Sequence, residues 1–227
     1  MTGTPAAPPG RSATYLDFDG TLADTDLVRV CAYYCLHAGG RRRSLGKVTR
    51  LAASIPLFLA LDARSRQDFA SRLFGFYEGM SEDRLERLAD RMHREVIAPR
   101  VRPAVREFLD LCRRQGPLVL ISGATDFTVR RFAEEEGIDY VVANRLEYRD
   151  GVATGRLLPP EIFGTNKARM VREHAREHDI DLESSAAYAD SVNDAAMLDA
   201  VGRGGVVNPG RKLRAMAREA GWRVVEW

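Results

Sequence analysis

Two carboxylates and a glycine follow the first apolar run of this chain. Asp17 and Asp19 flank Phe18, and Gly20 comes directly after them. Residues 13–16 have the β-branched and aromatic content that is typical of a strand. Clustered carboxylates repel each other unless a cation lies between them or one of them is protonated. Mg²⁺ prefers oxygen ligands of this kind, so the pattern indicates a cation-binding pair of acids at the end of a strand.

Two further polar sites come after apolar runs later in the chain. Ser122, with Gly123 beside it, follows one run, and Asp190 follows another. A single Ser or Asp in such a position is usually a helix cap. The carboxyl ends of parallel strands, however, lie along one edge of a sheet, which is where ligands bind in open α/β folds. Together with Asp17, these residues predict one shared site.

Three more residues have both a structural and a functional interpretation. Lys167 falls in the first turn of a predicted helix that begins near Thr165, where the helix dipole disfavours a cation. It is therefore either a solvated side chain or one that faces an anion. Asn193 and Asp194 follow Asp190 closely, and they are either ordinary helix-start residues or part of the same site.

The elements that must position these residues form an α/β pattern. Strands and helices alternate from about residue 100 onwards, which predicts a doubly wound parallel sheet, and Asp150-Gly151 predicts the turn of a β-hairpin. Residues 26–99 show four helical stripes and no convincing strand, and they are far longer than a strand crossover requires. We therefore expect a core made of residues 13–25 and 100–227, a helical bundle cap at 26–99, and a disordered Pro- and Ala-rich tail at 1–12.

The composition limits the class of protein further. The chain has 227 residues, 45% of them hydrophobic, with a net charge of +2, so nucleic acid is not expected as a partner. Three cysteines, Cys31, Cys35 and Cys112, make no disulfide framework and favour a reducing, cytoplasmic location. The longest apolar run, at 51–61, is shorter than the roughly 20 residues that span a membrane.

The chain resembles a known group of hydrolases. Four motifs occur in order along it, namely Asp17-x-Asp19-Gly-Thr, Ser122-Gly123, Lys167 and Asp190-Ser-Val-Asn193-Asp194. This order is similar to the signature of the haloacid dehalogenase (HAD) superfamily. The insertion after the first motif, a C1-type cap, and the segment Ala143-Asn144-Arg145-Leu146 resemble subfamily IB, whose best-known members are phosphoserine phosphatases. The resemblance implies a HAD-like Rossmannoid core with an inserted α-helical bundle cap.

The resemblance also implies a mechanism, Mg²⁺-dependent hydrolysis of a phosphate monoester. Asp17 would attack phosphorus and form an aspartyl-phosphate, while Asp19 would protonate the leaving group and then activate water. The implied metal ligands are Asp17, the backbone carbonyl of Asp19, Asp190 and Asp194. The implied phosphate-binding residues are Ser122, Gly123, Lys167 and Asn193.

The chain departs from phosphoserine phosphatases at the positions that read the substrate. Gly20 stands where those enzymes usually have Ser, and Asp26 where they have the Glu that reads the amino group. Their carboxylate-reading arginine would fall near 73–77, where this chain has none, although Arg72 is adjacent. We therefore name Asp26 and Arg72 as candidate specificity residues. An unpaired substrate carboxylate is costly, so we expect a substrate other than phosphoserine.

The sequence is also compatible with several different functions. The apolar run at 51–61, flanked by Arg41, Arg42, Arg43 and Arg50, is either bundle core or a surface for a lipid phosphate. The second option corresponds to a phosphatase of the phosphatidylglycerophosphatase C type, with peripheral membrane contact through the cap. A phosphoserine phosphatase, a phospho-acceptor signalling module and a non-catalytic scaffold are also compatible with the sequence. His174-Ala-Arg-Glu177-His178 matches a zinc-peptidase pattern, but we interpret this segment as an exposed charged face.

Overall fold

The computed structural model describes residues 11–37, 40–62 and 65–227. The prediction of a disordered tail at 1–12 therefore falls almost entirely outside the described residues. No helix in the described part of the chain is both long enough and apolar enough to cross a membrane.

A six-stranded parallel sheet forms the centre of the molecule. The described residues form eight strands, namely β1 (Thr14–Leu16), β2 (Leu118–Thr125), β3 (Tyr140–Asn144), β4 (Leu146–Arg149), β5 (Val152–Leu157), β6 (Ala186–Ala189), β7 (Arg203–Val207) and β8 (Arg223–Val225). The sheet order is β3-β2-β1-β6-β7-β8, and every neighbouring pair is parallel. Because the order reverses at β1, a ligand crevice is expected at the carboxyl end of this strand.

Nine α-helices surround this sheet or lie in the insertion after β1. Within the described residues they are α1 (Leu27–His37), α2 (Arg41–Asp62), α3 (Arg66–Phe74), α4 (Glu82–Met92), α5 (Pro103–Arg113), α6 (Asp126–Glu135), α7 (Thr165–Glu177), α8 (Ala195–Leu198) and α9 (Arg211–Ala220). The predicted class, an α/β fold with a doubly wound parallel sheet and an inserted helical bundle, is confirmed. The boundaries of the cap at 26–99 stay a prediction.

Alternation along β1 divides the core into two layers. Leu16 is fully buried in the apolar cluster that also contains the helices of the insertion. Tyr15, its neighbour, is fully buried in the cluster on the opposite face, beneath α7 and α9. Successive strand residues point to opposite faces, so a strand that is buried on both faces is apolar at every position. This burial fixes the position of the residues that follow β1.

The hairpin β4–β5 joins the insertion to the rest of the molecule. Its turn, Asp150-Gly151, has φ values of +50° and +71°, which fit a type I′ turn and the hairpin that the sequence predicts. The backbone amide of Gly79 donates to the carbonyl of Ala153 at 2.9 Å, and the amide of Ala153 donates to the carbonyl of Met80 at 2.8 Å. The segment between α3 and α4 therefore pairs with β5.

Three local predictions were wrong. Ser122 and Gly123 lie inside β2, which continues to Thr125, rather than after its end. Asn193 and Asp194 do not begin an α-helix, because they lie in a 3₁₀ turn at Val192–Asp194 that precedes the four residues of α8. His174 is not on an exposed face but is buried, with its ring centroid 4.7 Å from that of Tyr140 and 4.4 Å from that of His178.

Candidate active site

Asp17 occupies the carboxyl end of the central strand. Its amide donates to the carbonyl of Tyr188 at 3.0 Å, which continues the ladder between β1 and β6. Asp17 is only 5% exposed, and its carboxylate accepts two hydrogen bonds. Lys167 Nζ donates to Oδ1 at 2.5 Å, and Thr21 Oγ1 donates to Oδ2 at 3.0 Å. Both oxygens are therefore held in one orientation.

Lys167 reaches this carboxylate from the first turn of α7. The ammonium is buried and forms a second ion pair with Asp194 Oδ1 at 2.9 Å. Burial by itself lowers the pKa of Lys167, but the charges of Asp17 and Asp194 outweigh it and raise that pKa above its ordinary value. The sequence left two interpretations of Lys167 open, and the structure supports the one in which its side chain faces anions.

Three acids meet around Lys167 in a geometry that suits a divalent cation. Asp17, Asp190 and Asp194 each offer a carboxylate oxygen, and these oxygens lie within 4.8 Å of one another. Burial, together with repulsion from Asp17 and Asp194, raises the pKa of Asp190 to about 7. The three carboxyl groups also outnumber the single positive charge of Lys167. Oxygen donors with surplus negative charge fit a hard cation such as Mg²⁺.

Gly20 allows Asp190 to approach the loop that follows β1. Its φ of +80° is one that residues with a side chain rarely adopt, and a Cβ at this position would lie 2.0 Å from Asp190 Oδ2. A serine, the usual residue here in phosphoserine phosphatases, would meet both obstacles. In this structure, a side chain at position 20 would therefore displace the Asp190 carboxylate from its present place.

Asp19 has the environment of a carboxyl group that changes its protonation near neutral pH. Burial raises the pKa of Asp19 to about 7, although the hydrogen bond from Thr25 acts in the opposite direction. That bond joins Thr25 Oγ1 to Asp19 Oδ1 at 2.7 Å. The charge of Asp17 raises the pKa further. Two acids separated by one residue therefore have different surroundings, which is the arrangement that assigns different roles to paired carboxyl groups.

A small cavity of about 40 Å³ joins these groups. Gly123 and Asn193 line it together with the acids and Lys167, whereas Ser122 does not. Ser122 is fully buried, and its Oγ accepts the amide of Ala124 at 3.0 Å. The structure thus brings together all the residues that the sequence nominated for phosphate and metal, apart from the Ser122 side chain.

The two candidate specificity residues have different surroundings. Asp26 lines a second cavity, of about 450 Å³, that also contains Asp19 and Asp190 in its wall. Arg72 is exposed on α3 and lines neither this cavity nor the smaller one. The placement of Arg72 at the substrate is therefore not supported, because its position on the helix directs it to solvent.

Three polar residues that hold the site together, Thr21, Thr25 and Asn144, were not predicted as functional from the sequence. Thr21 and Thr25 bind the two acids, and their spacing of four residues from Asp17 and six from Asp19 was a readable but weak signal. Asn144 stood out only as part of a family motif. Its Nδ2 donates to the Gly123 carbonyl at 2.7 Å, and its Oδ1 accepts the Ile162 amide at 2.8 Å. Asn144 therefore fixes the peptide that lines the small cavity.

The zinc-peptidase pattern at 174–178 has no metal geometry in the described part of the chain. Among the described residues, the ligand atoms that converge on one point belong to Asp17, Asp190 and Asp194. His174 instead packs in the core and contacts the Tyr15 hydroxyl through Nδ1 at 3.2 Å. The pattern is a chance match on a helix that covers β1.

A parallel α/β sheet with convergent acids and a buried lysine at its switch point is suited to phosphoryl transfer. The haloacid dehalogenase-like hydrolase model matches residues 15–199, and the chain therefore belongs to that family. The resemblance inferred from the four motifs is confirmed.

Known relatives agree with this assignment. Phosphoserine phosphatase SerB1 of Mycobacterium tuberculosis (strain ATCC 25618 / H37Rv) is 32% identical over 171 residues, which are 74% of this chain and 56% of that protein. The match thus spans little more than half the length of that relative. A protein of the same strain named probable phosphatase Rv3661 is 28% identical over 97% of this chain and 77% of its own length.

The fold also matches solved structures. One of them, a phospho-aspartyl intermediate analogue of phosphoserine phosphatase, superposes with a TM-score of 0.66. It is 21% identical to this chain, and the match covers 90% of each chain. At this identity the likeness concerns the fold alone.

Proposed function

We propose that this chain is a Mg²⁺-dependent phosphomonoester hydrolase that acts through an aspartyl-phosphate at Asp17. The observation that carries the proposal is the Asp17 carboxylate itself. It is buried at the wall of the small cavity and oriented by Lys167 and Thr21. A carboxylate fixed in this way can attack phosphorus without the entropy cost of ordering it.

Asp19 serves as the acid and base of the proposed reaction. It first gives its proton to the leaving oxygen of the ester and then takes a proton from the water that hydrolyses the aspartyl-phosphate. A pKa near 7 supports both steps, because the carboxyl group then exchanges protons at neutral pH. Thr25 keeps the group in place through the hydrogen bond to Oδ1. Loss of such a group typically costs a factor of roughly 10²–10⁴ in rate.

The acids of the cluster would hold the metal ion. The Asp17, Asp190 and Asp194 carboxylates, with the Asp19 backbone carbonyl, are the proposed ligands. When bound, Mg²⁺ would polarise the phosphoryl oxygens and offset the repulsion between these oxygens and the acids. The convergence of three carboxylates within 4.8 Å supports this assignment.

The remaining residues of the small cavity would bind the phosphoryl group. Lys167 supplies a buried positive charge, the Gly123 amide supplies a donor, and Asn193 supplies an amide side chain. Asn144 holds the Gly123 peptide in place. Fixed donors of this kind act where negative charge develops in the transition state. Ser122 was expected to take part as well, and its burial away from the cavity wall argues for a structural role instead.

The proposed substrate is a phosphate monoester other than phosphoserine. Among the described residues that line the two cavities, Lys167 is the cation, and it already pairs with Asp17 and Asp194. Within this described lining, a substrate carboxylate would therefore have no cation to itself. Contact of the cap with a membrane and a cytoplasmic location both stay predictions; the side chains of residues 41–43 lie outside the described set.

The test is the release of inorganic phosphate from a panel of monoesters, with Mg²⁺ and with EDTA. We expect hydrolysis that requires Mg²⁺ and that is abolished in Asp17→Asn. Asp199→Asn, an exposed acid outside both cavities, is the matched control and keeps full activity. Full activity in Asp17→Asn would refute the assignment of Asp17 as the nucleophile. A stable phospho-Asp17 without turnover would instead favour the phospho-acceptor module.

A further inference from the structure

The larger cavity adjoins the proposed catalytic groups and has the size of a ligand site. Its volume of about 450 Å³ falls within the roughly 300–1,000 Å³ that is typical of small-molecule pockets. Asp19 and Asp190 lie in its wall and also in the wall of the small cavity. A phosphate ester with its phosphoryl group in the small cavity would therefore extend its alcohol part into the larger one.

The helices of the insertion supply an apolar wall to this cavity. The apolar side chains that line it are Leu27, Val28, Ile55, Phe58 and Phe69. They come from α1, α2 and α3, and the rings of Phe58 and Phe69 pack edge to face with centroids 5.5 Å apart. Three helices thus converge to present hydrocarbon to whatever occupies the space next to Asp19.

Acidic side chains also line the larger cavity. Among the described residues of its lining, the charged side chains are Asp19, Asp26 and Asp190, and all three are acidic. Arg29 forms an ion pair with Asp26 at 3.9 Å, and it lies outside the lining. A carboxylate on the alcohol part of the substrate would meet repulsion here, whereas an apolar group would exclude water from the walls.

We propose that the larger cavity binds the alcohol part of the substrate, and that this part is an uncharged hydrocarbon group. The inference rests on the proposed function. In the reaction, a bond forms between Asp17 and phosphorus while the bond from phosphorus to the alcohol oxygen breaks. That oxygen takes the proton of Asp19. Water then attacks the aspartyl-phosphate and gives a proton to Asp19, which releases inorganic phosphate and restores the Asp17 carboxylate. The substrate class is the monophosphate of an apolar alcohol, from a soluble ester or from a lipid.

A series of linear alkyl phosphates tests the inference directly. We expect kcat/KM to rise from ethyl through butyl to hexyl phosphate by about fourfold for each buried methylene, which is the equivalent of about 0.8 kcal/mol. Phosphoserine is expected to be poorer than ethyl phosphate. Equal values along the alkyl series, or a preference for phosphoserine, would overturn the proposal.

Two substitutions on α2 form a matched pair. Ile55 and Leu57 are 45% and 44% exposed, but only Ile55 lines the cavity. Ile55→Arg is expected to lower kcat/KM for hexyl phosphate at least tenfold and to raise it for phosphoserine, since it adds a cation to the wall. Leu57→Arg is expected to change neither by more than twofold. Equal effects of the two substitutions would contradict the assignment of the cavity.

Binding separates a failure of this inference from a failure of the proposed function. In Asp17→Asn, calorimetry should show that hexyl phosphate binds at least tenfold more tightly than ethyl phosphate, whether or not the chain hydrolyses esters. Equal binding refutes the inference and leaves the hydrolase proposal standing. Turnover of phosphatidic acid in vesicles would identify a lipid source, and turnover restricted to monomeric hexyl phosphate would identify a soluble one; either result supports the apolar class.

Discussion

Gly20→Ala is the substitution whose effect the structure defines most sharply. The new Cβ would lie 2.0 Å from Asp190 Oδ2 and 2.6 Å from its Cγ. Ordinary contact begins at 3.4 Å, so the carboxylate must move by about 1.4 Å. A displacement of roughly 1 Å in an active site can cost about 100-fold in rate. We therefore expect kcat for p-nitrophenyl phosphate to fall by about 100-fold or more, with weaker activation by Mg²⁺.

Backbone strain contributes to this effect and needs its own control. Alanine in the left-handed region costs roughly 1–2 kcal/mol in stability. Gly79 has a φ of +76°, close to the +80° of Gly20, but a Cβ at Gly79 would meet nothing within 4 Å. Gly79→Ala should therefore show the same loss of thermal stability and unchanged kcat. If the two variants have kcat values within twofold of each other, the role given to Asp190 is wrong.

Further substitutions test other parts of the account. Lys167→Met should lower kcat by at least about 100-fold, because it removes a buried charge from the transition state, and Lys167→Arg should not restore activity. Asn144→Ala removes the hydrogen bond to the Gly123 carbonyl, so we expect kcat to fall by about tenfold with little change in KM. Equal kcat in the variant and the unchanged chain would refute the role of Asn144 in positioning the Gly123 peptide. Burial, aided by the charge of His178, lowers the pKa of His174. The unfolded chain therefore binds this proton more readily, and the contribution of His174 to stability falls as the pH drops below about 6.5. His174→Phe removes this contribution, so the melting temperature at pH 5 relative to that at pH 7 should be higher in the variant than in the unchanged chain; an identical difference in both chains would contradict this.

The elements nearest the site were the most predictable from sequence. A buried parallel strand is apolar at every position, so β1 and β6 could be recognised, and the acids that follow them could be assigned to one edge. Lys167 was conspicuous because a cation in the first turn of a helix opposes the dipole. These signals are local, and they required no knowledge of the packing.

The errors arose where tertiary contacts decide the outcome. β2 extends past Ser122 because Thr125 still pairs with Asn144 after a register shift, which no local pattern announces. His174 sits in a highly charged helix but is covered by Tyr140 from the neighbouring strand. The apolar run at 51–61 left bundle core and an exposed surface open, and only packing decides that Phe58 is buried while Ile55 and Leu57 remain about half exposed. The cavity depends on how three helices converge, and this cannot be derived from their separate periodicities.

The formation of phospho-Asp17 is the most direct measurement of the central claim. The chain is mixed with p-nitrophenyl phosphate and Mg²⁺, quenched in acid within milliseconds, digested and analysed by mass spectrometry. We expect one phosphoryl group on the peptide that carries Asp17, with its decay matching the release of phosphate, and no label in Asp17→Asn. Release of phosphate without any labelled peptide, or a label on Asp190, would contradict the account.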